Sequence, residues 1–218
     1  KKYKNQYLGS IGHFGAFSFH ETKNITSGEG GMICINRPEY LERAEIIREK
    51  GTNRSAFFRG EVDKYSWVDI GSSFLPSELN AAVLLAQLES IDKIQGRRLA
   101  IWKRYREGLT ELFDKEILRP PFIPDYATNN AHMFYFTCED GKTRDELLDF
   151  LKKSEINAVF HYLSLHKSKY FKDKHDGREL PMADFYSDTL VRLPLYYDLK
   201  SEEVDYIIEK VLEFFSNR

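Results

Sequence analysis

Apolar residues in the last third of the chain recur with the periods of helices and strands. The clearest helical stripe follows Ser201, which can cap a helix, and its apolar residues are three and four positions apart. Short apolar runs between polar segments predict strands. The elements predicted in this way are strand 133–138, a helix capped by Thr143 with Glu146 as its partner, strand 156–160, a helix near 183–190, strand 191–193 and a last helix containing Val204, Ile207, Ile208, Val211, Leu212 and Phe215.

This alternation of helices and strands predicts a small α/β domain over residues 116–218. Before it, a helical pattern over 91–113 is rich in Lys and Arg, and we interpret 91–115 as a connecting helix with a solvated charged face. Residues 79–88 are apolar nearly all round, which predicts a helix covered on several sides. A second subunit or a further part of the chain could supply that cover.

The first 50 residues predict a hairpin followed by a helix. Ala16–Phe19 and Met32–Ile35 have the composition of buried strands, and the glycines of 28–31 suit a tight turn between them. Asn36 is a candidate cap for a helix that ends at Gly51, since proline and glutamate follow it at first-turn positions.

Lys23 lies on the connection of this hairpin. An ordinary lysine, with a pKa of about 10.4, is a poor nucleophile at neutral pH, but a lysine in a dry pocket beside other positive charge can condense with a carbonyl to form a Schiff base. Taken without its surroundings, the segment favours a solvated loop lysine, with the glycines serving only to make a turn.

The wider string S-F-H-x-x-K-N-x-x-x-G-E-G-G, residues 18–31, resembles the lysine segment of the DegT/DnrJ/EryC1/StrS sugar aminotransferases. That family binds pyridoxal phosphate (PLP) in the fold shared with aspartate aminotransferase. The resemblance implies an α/β chain of PLP-dependent transferase fold type I, with residues 1–90 as the end of the large PLP-binding domain. It also implies that Lys23 carries PLP as a Schiff base and that the hydroxyl of Ser18 binds the cofactor phosphate.

Two more segments carry the resemblance further. G-S-S-F-L-P-S-E-L-N-A-A, residues 71–82, resembles the branch that acts on dTDP-4-oxo-6-deoxy-D-glucose in enterobacterial common antigen synthesis. Leu75 stands where other branches have a phosphate contact from the partner subunit. The segment 161–166 resembles one that reaches the substrate side, which makes His166 a candidate substrate-binding residue, although Ser164 replaces the usual proline.

The function implied is transfer of an amino group from L-glutamate to C4 of that nucleotide sugar. A transaminase of another nucleotide keto-sugar and a non-catalytic fold module are the alternatives. A sugar-dehydrating relative is disfavoured, because that branch replaces the lysine by histidine.

The start of the chain predicts that part of the enzyme precedes it. The sequence opens on a polar loop just before the lysine segment, without an initiator methionine. In the family, the Asp that pairs with the pyridine nitrogen and the aromatic residue that stacks on the ring come earlier than this point. We therefore expect a C-terminal portion that is inactive by itself, from an enzyme that is a homodimer with shared active sites.

Composition and net charge bear on which kinds of binding partner the sequence predicts. The 218 residues are 42% hydrophobic and 30% charged, with a net charge of −2 and a pI near 6.4. This overall charge gives no electrostatic case for binding nucleic acid or an anionic membrane, although it leaves a local basic patch open. No apolar run approaches a membrane span. Cys34 and Cys138 lie in apolar runs and are expected to be reduced, which favours a cytoplasmic protein.

The sequence lacks the motifs of several other classes of functional site. The six histidines have no zinc-like spacing, and the chain has neither a nucleophile elbow, a P-loop nor a dinucleotide-binding glycine pattern. The sequence therefore predicts no metal. The basic and aromatic loop 51–66 can contact a nucleotide or can simply be solvated, and the residues alone leave both interpretations open.

Overall fold

A computed structural model describes all residues from Lys1 to Arg218. The chain forms two compact units. The first contains residues 1–91 and 124–128, and the second contains residues 92–123 and 129–218. None of the helices combines the length and the apolar character needed to cross a membrane.

The first unit consists of two antiparallel hairpins followed by helices. Strands β1 and β2 form one hairpin, and strands β3 and β4 form the other, with Phe14 opposite Ile35 and Ser18 opposite Gly31. The hairpin predicted around Lys23 is therefore present, but its strands are not buried, since Gly15 is the one buried residue of β3. The elements are β1 Lys2–Tyr3, β2 Gln6–Tyr7, β3 Phe14–Ser18, β4 Gly31–Ile35, a 3-10 turn Pro38–Tyr40, α1 Leu41–Arg48, α2 Arg54–Phe58 and α3 Glu78–Glu89.

The cap predicted at Asn36 is wrong. The amide of Asn36 donates instead to the carbonyl oxygens of Gly9 (2.8 Å) and Gly12 (2.9 Å), which ties the loop before β3 to the end of β4. With that side chain engaged, the 3-10 turn begins after Arg37, and α1 ends at Arg48 rather than at Gly51.

Helix α3 begins at Glu78, with the Ser77 hydroxyl accepting from the Asn80 N–H at 3.2 Å. The first unit does not supply the cover predicted for this helix, because none of its residues is buried and Leu79 is 81% exposed, so cover by a second subunit or a further part of the chain stays a prediction. A helix that is apolar all round needs neighbours on several sides, and the short elements of this unit do not enclose it.

The second unit places helices around a two-stranded antiparallel sheet. Strands β5 and β6 pair with Phe134 opposite Leu193 and Thr137 opposite Leu190. The strand predicted over 156–160 is absent: the Ala158 N–H donates to the Ile156 carbonyl in a tight turn, and Val159 makes only an isolated bridge to Arg192. The elements are α4 Ile91–Gly108, α5 Thr110–Asp114, β5 Phe134–Thr137, α6 Gly141–Lys153, α7 Pro181–Thr189, β6 Leu190–Leu193 and α8 Ser201–Ser216.

One continuous core holds this second unit together. It joins the inner faces of α4, α6 and α8 to both strands, and the apolar stripe predicted for α8 lies in it. Burial of such side chains is the main term that stabilises a fold, at roughly 1.5–3 kcal/mol for each large apolar residue. The fully buried members include Tyr105, Leu109, Phe134, Phe136, Leu147, Leu151, Val191, Val204 and Val211.

Candidate active site

The loop that carries Lys23 is closed by backbone hydrogen bonds. At its base the Phe19 N–H donates to the Gly30 carbonyl (2.8 Å) and the Ser27 N–H donates to the Phe19 carbonyl (2.9 Å). Phe19 and Ile25 are buried beneath the loop. Within it, the Lys23 N–H donates to the His20 carbonyl at 2.9 Å, so the lysine sits on a defined turn.

Glycine is required on the return side of this loop. Gly30 has a φ of 155°, and a Cβ at that position would lie 2.7 Å from the Ser27 hydroxyl oxygen. That hydroxyl donates to the Glu29 carbonyl at 2.9 Å, and the amide of Asn80 donates to the same carbonyl at 3.2 Å. The G-E-G-G segment is therefore fixed both by its own backbone and by α3.

The histidine at position 20 packs against the same turn. Its Nδ1 accepts a hydrogen bond from the Thr22 N–H (3.2 Å) and lies 2.9 Å from the Thr22 hydroxyl oxygen. Its Nε2 lies 3.5 Å from a carboxylate oxygen of Glu29. These contacts did not follow from the sequence, although the S-F-H and G-E-G-G strings contain both residues.

Lys23 and Ser18 offer an amine and a hydroxyl to the solvent. The side chain of Lys23 is exposed and has no hydrogen-bond or ion-pair partner, and the dry pocket that would keep it neutral is not formed by the described residues. Ser18 is exposed at the end of β3, where its hydroxyl accepts from the His20 N–H at 3.4 Å. A free primary amine can bond an aldehyde, and a hydroxyl can donate to a phosphate, so both residues fit PLP.

His166 belongs to the second unit and already has a protein partner. Its Nε2 lies 3.3 Å from Asp184, and its side chain is largely buried beside the ring of His175. Asp184 also accepts from the ammonium of Lys167 and the hydroxyl of Ser164, and these bonds lower the pKa of the Asp184 carboxyl. The structure thus gives His166 a role in fixing its own segment, and substrate binding by His166 stays a prediction.

The loop around residues 51–66 contains a short helix, α2, and closes through a bridge between Thr52 and Trp67. Arg59 is paired with Glu61 (2.8 Å) and Glu45 (2.9 Å), and the hydrogen bond from Arg59 lowers the pKa of Glu61. The guanidinium of Arg54 lies over the ring of Phe58. These partners account for the charge of Arg59 without a ligand.

Both cysteines are free thiols. Cys138 is buried in the second unit, and burial raises the pKa of its thiol to about 12. Cys34 on β4 is half-buried. No cluster of three or more His, Cys, Asp or Glu side chains in the structure is arranged to hold a metal ion.

Comparison with known proteins places the chain in a family. A model of the DegT/DnrJ/EryC1/StrS aminotransferase family matches residues 1–212. The chain belongs to this family. Aminotransferases of the family use PLP, and one of the solved neighbours is a PLP form of a putative sugar aminotransferase.

Solved structures agree with that membership. The putative sugar aminotransferase Spr1654 from Streptococcus pneumoniae, in its PMP form, is 26% identical, with a TM-score of 0.86 over 99% of this chain and 56% of its own. DesV from S. venezuelae is 28% identical, with a TM-score of 0.84 over 100% of this chain and 55% of its own. PseC from Helicobacter pylori, at 24% identity, shares the fold, with a TM-score of 0.86 over 100% of this chain and 57% of its own.

The chain thus spans little more than half the length of these proteins. The predicted α/β fold class and family are confirmed by the family match and by these neighbours. No comparison assigns a substrate to this chain.

Proposed function

We propose that this chain is part of a PLP-dependent nucleotide-sugar aminotransferase, with Lys23 as the residue that carries the cofactor. The observation that supports this most is the presentation of Lys23: in a member of an aminotransferase family, its amine is free of polar partners on a loop closed at both ends by hydrogen bonds. Ser18 would hold the phosphate through its hydroxyl.

PLP, when bound, supplies an electron-withdrawing ring that accepts the electron pair released at the amino-bearing carbon. Lys23 would hold the cofactor through its amine, and that amine would become free when the amino donor takes its place. The free amine of Lys23 would then remove the proton from Cα of L-glutamate, and its ammonium form would deliver that proton to the carbon on the cofactor side. In the second half-reaction the amine of Lys23 would take a proton back from the cofactor side and deliver it to C4 of the sugar as that carbon gains its amino group.

The acceptor we propose is dTDP-4-oxo-6-deoxy-D-glucose, aminated at C4. This rests on the resemblance of residues 71–82 to the branch that uses this sugar, and on lysine rather than histidine at position 23. The same proposal includes a cytoplasmic homodimer with shared active sites. It also includes the division into residues 1–90 of a PLP-binding domain, a connecting helix 91–115 and a small domain 116–218.

The test is an assay of a chain with the full length of these relatives, given L-glutamate and dTDP-4-oxo-6-deoxy-D-glucose. We expect 2-oxoglutarate and a 4-amino-4,6-dideoxygalactose nucleotide in equal amounts, detected by mass spectrometry and NMR, and neither product from the Lys23→Ala variant. Amination of a different keto-sugar alone would contradict the acceptor. Absence of any amino transfer by a PLP-loaded protein would favour the non-catalytic module.

A further inference from the structure

Nothing polar holds the side chain of Lys23, so the position of its amine depends on the backbone that carries it. That backbone is a turn in which two consecutive N–H groups, those of Thr22 and Lys23, point back at one residue. The Lys23 N–H donates to the His20 carbonyl (2.9 Å), and the Thr22 N–H donates to the His20 ring at Nδ1 (3.2 Å). His20 therefore satisfies both donors.

The same nitrogen lies 2.9 Å from the Thr22 hydroxyl oxygen, and which of the two atoms donates in that contact depends on the tautomer of the ring. In the tautomer in which Nδ1 accepts from the Thr22 N–H, the proton of a neutral imidazole is on Nε2. Nε2 faces the Glu29 carboxylate at 3.5 Å, a close pair rather than a short hydrogen bond. Because the Glu29 side chain is 81% exposed, this second contact contributes less than the first.

Glu29 is itself held in place. Its carbonyl accepts from the Ser27 hydroxyl and from the Asn80 amide of α3. A chain of contacts thus runs from α3 through Glu29 and the His20 ring to the turn of Lys23. All of its members belong to the first unit.

We propose that His20 is a positioning residue for Lys23: its ring clamps the Thr22–Lys23 turn, and Glu29 keeps the ring in the required orientation. This rests on the proposed function, in which the amine must meet one carbon atom, leave it and return to it. Reactions of that kind depend on placement, and misplacement of about 1 Å can cost roughly 100-fold in rate. A turn with an unpaired Thr22 N–H would let the amine sample more positions.

Asparagine and glutamine substitutions separate the contacts at Nδ1 from the contact at Nε2. The side-chain oxygen of asparagine can occupy the place of Nδ1, whereas the amide of glutamine reaches toward the place of Nε2. Hydrogen exchange at the Thr22 amide is measured in the 218-residue chain without cofactor, with the Ser27 amide as internal reference. We expect His20→Ala and His20→Gln to speed exchange at Thr22 roughly fivefold and His20→Asn to stay within about twofold of the parent, as the loss of one hydrogen bond predicts.

A second measurement compares how readily the side-chain amine of Lys23 reacts with PLP in each variant. The same variants are incubated with PLP and reduced with borohydride. The label on Lys23 is then compared with the label on Lys64, an exposed lysine that lies outside the loop carrying Lys23. We expect His20→Ala to lower the Lys23-to-Lys64 ratio about fivefold and His20→Asn to restore most of it, if one hydrogen bond of ordinary strength is lost.

Unchanged exchange at Thr22 in His20→Ala would overturn the positioning role. Faster exchange at Thr22 and Ser27 alike would also overturn it, because the ring would then only support the loop as a whole. If the parent chain gives no preferential label on Lys23, the labelling is repeated in a chain with the full length of the relatives, and absence of the label there too would refute the proposed function. The exchange measurement decides separately whether His20 holds the turn.

Discussion

At the scale of single residues, Asp140 decides where helix α6 begins. Its carboxylate accepts from the Thr143 N–H at 2.7 Å, and that bond lowers the pKa of the Asp140 carboxyl. The sequence favoured Thr143 as the cap because Glu146 follows it at capping-box spacing. In the structure the Glu146 carboxylate is 2.5 Å from Arg218, so it does not reach back to the helix start.

Asp140→Ala should lower the thermal midpoint by about 2–4 °C at neutral pH, since a lost helix cap has an effect of that size in a protein of this length. The control is Asp149→Ala, at an exposed position inside the same helix, which should change the midpoint little. A carboxyl with a lowered pKa stabilises above its unfolded value, so the difference between parent and variant should shrink as the pH falls below about 4. Scanning fluorimetry at several pH values measures both effects, and a cap effect that grows in acid would contradict this assignment.

The two cysteines should differ in reactivity because the thiolate is the reactive form. Burial raises the pKa of Cys138 from 9.0 to about 12, so it should resist alkylation at pH 8 until the protein is unfolded, while the half-buried Cys34 should react. Between pH 9.0 and about pH 12 the Cys138 thiol ionises in the unfolded chain but stays protonated in the folded chain. Cys138 should therefore make the fold less stable as the pH rises through this range. Peptide mass spectrometry after iodoacetamide treatment gives the answer, and equal labelling of both native thiols would refute it.

At the scale of elements, the long apolar stripe of α8 predicted its helix correctly, whereas one of the short apolar runs, 156–160, did not form the predicted strand. The stripe of α8 repeats over four turns and predicted a helix that the structure places at Ser201–Ser216. Residues 156–160 offered five residues with no such repetition, and a local turn at Ala158 decided their conformation. Periodicity over many residues outweighs local competition, whereas a short apolar run does not.

The candidate active site shows the same limit of prediction from local sequence patterns. Lys23 and Ser18 were found from a string of neighbouring residues, but the contact between His20 and Glu29 depends on the register of β3 with β4. No local pattern encodes that register. Sequence reasoning therefore proposed Lys23 and Ser18 as site residues but did not reveal the contacts that hold their loop.

Leucines in α6 and α3 should respond differently to truncation. Leu147→Ala removes a fully buried side chain from the core of the second unit and should lower the free energy of unfolding by about 3 kcal/mol. Leu79→Ala is the matched change on α3, where the side chain is 81% exposed, and should cost less than about 0.5 kcal/mol in the same chain. Urea unfolding followed by circular dichroism compares the two. Equal losses would show that α3 is packed in solution.

At the scale of the whole molecule, the two units are built differently. The second has a continuous apolar core between helices and sheet, whereas the first has hairpins and helices with few buried residues. Local stability follows the density of buried apolar contacts. Lys23, the proposed cofactor-carrying residue, thus lies on the less densely packed unit, where order depends on individual hydrogen bonds.

Hydrogen exchange should reveal this difference. Amides of β5 and β6 should exchange only through global unfolding of their unit, while amides of β3 and β4 should exchange faster, through local opening. Exchange followed by mass spectrometry of short peptides resolves the four strands. Equal or greater protection of β3 and β4 would contradict the contrast between the two units.

The measurement that bears most directly on the role of Lys23 is covalent trapping of the cofactor. A chain with the full length of the relatives is incubated with PLP, reduced with borohydride and digested, and the modified lysine is identified by mass. We expect the label on the peptide that contains Lys23, with loss of the yellow colour on reduction, and no specific label in Lys23→Ala, while the control Lys64→Ala behaves like the parent. A label spread evenly over surface lysines, or one that persists unchanged in Lys23→Ala, would contradict the assignment of Lys23 as the cofactor-carrying residue.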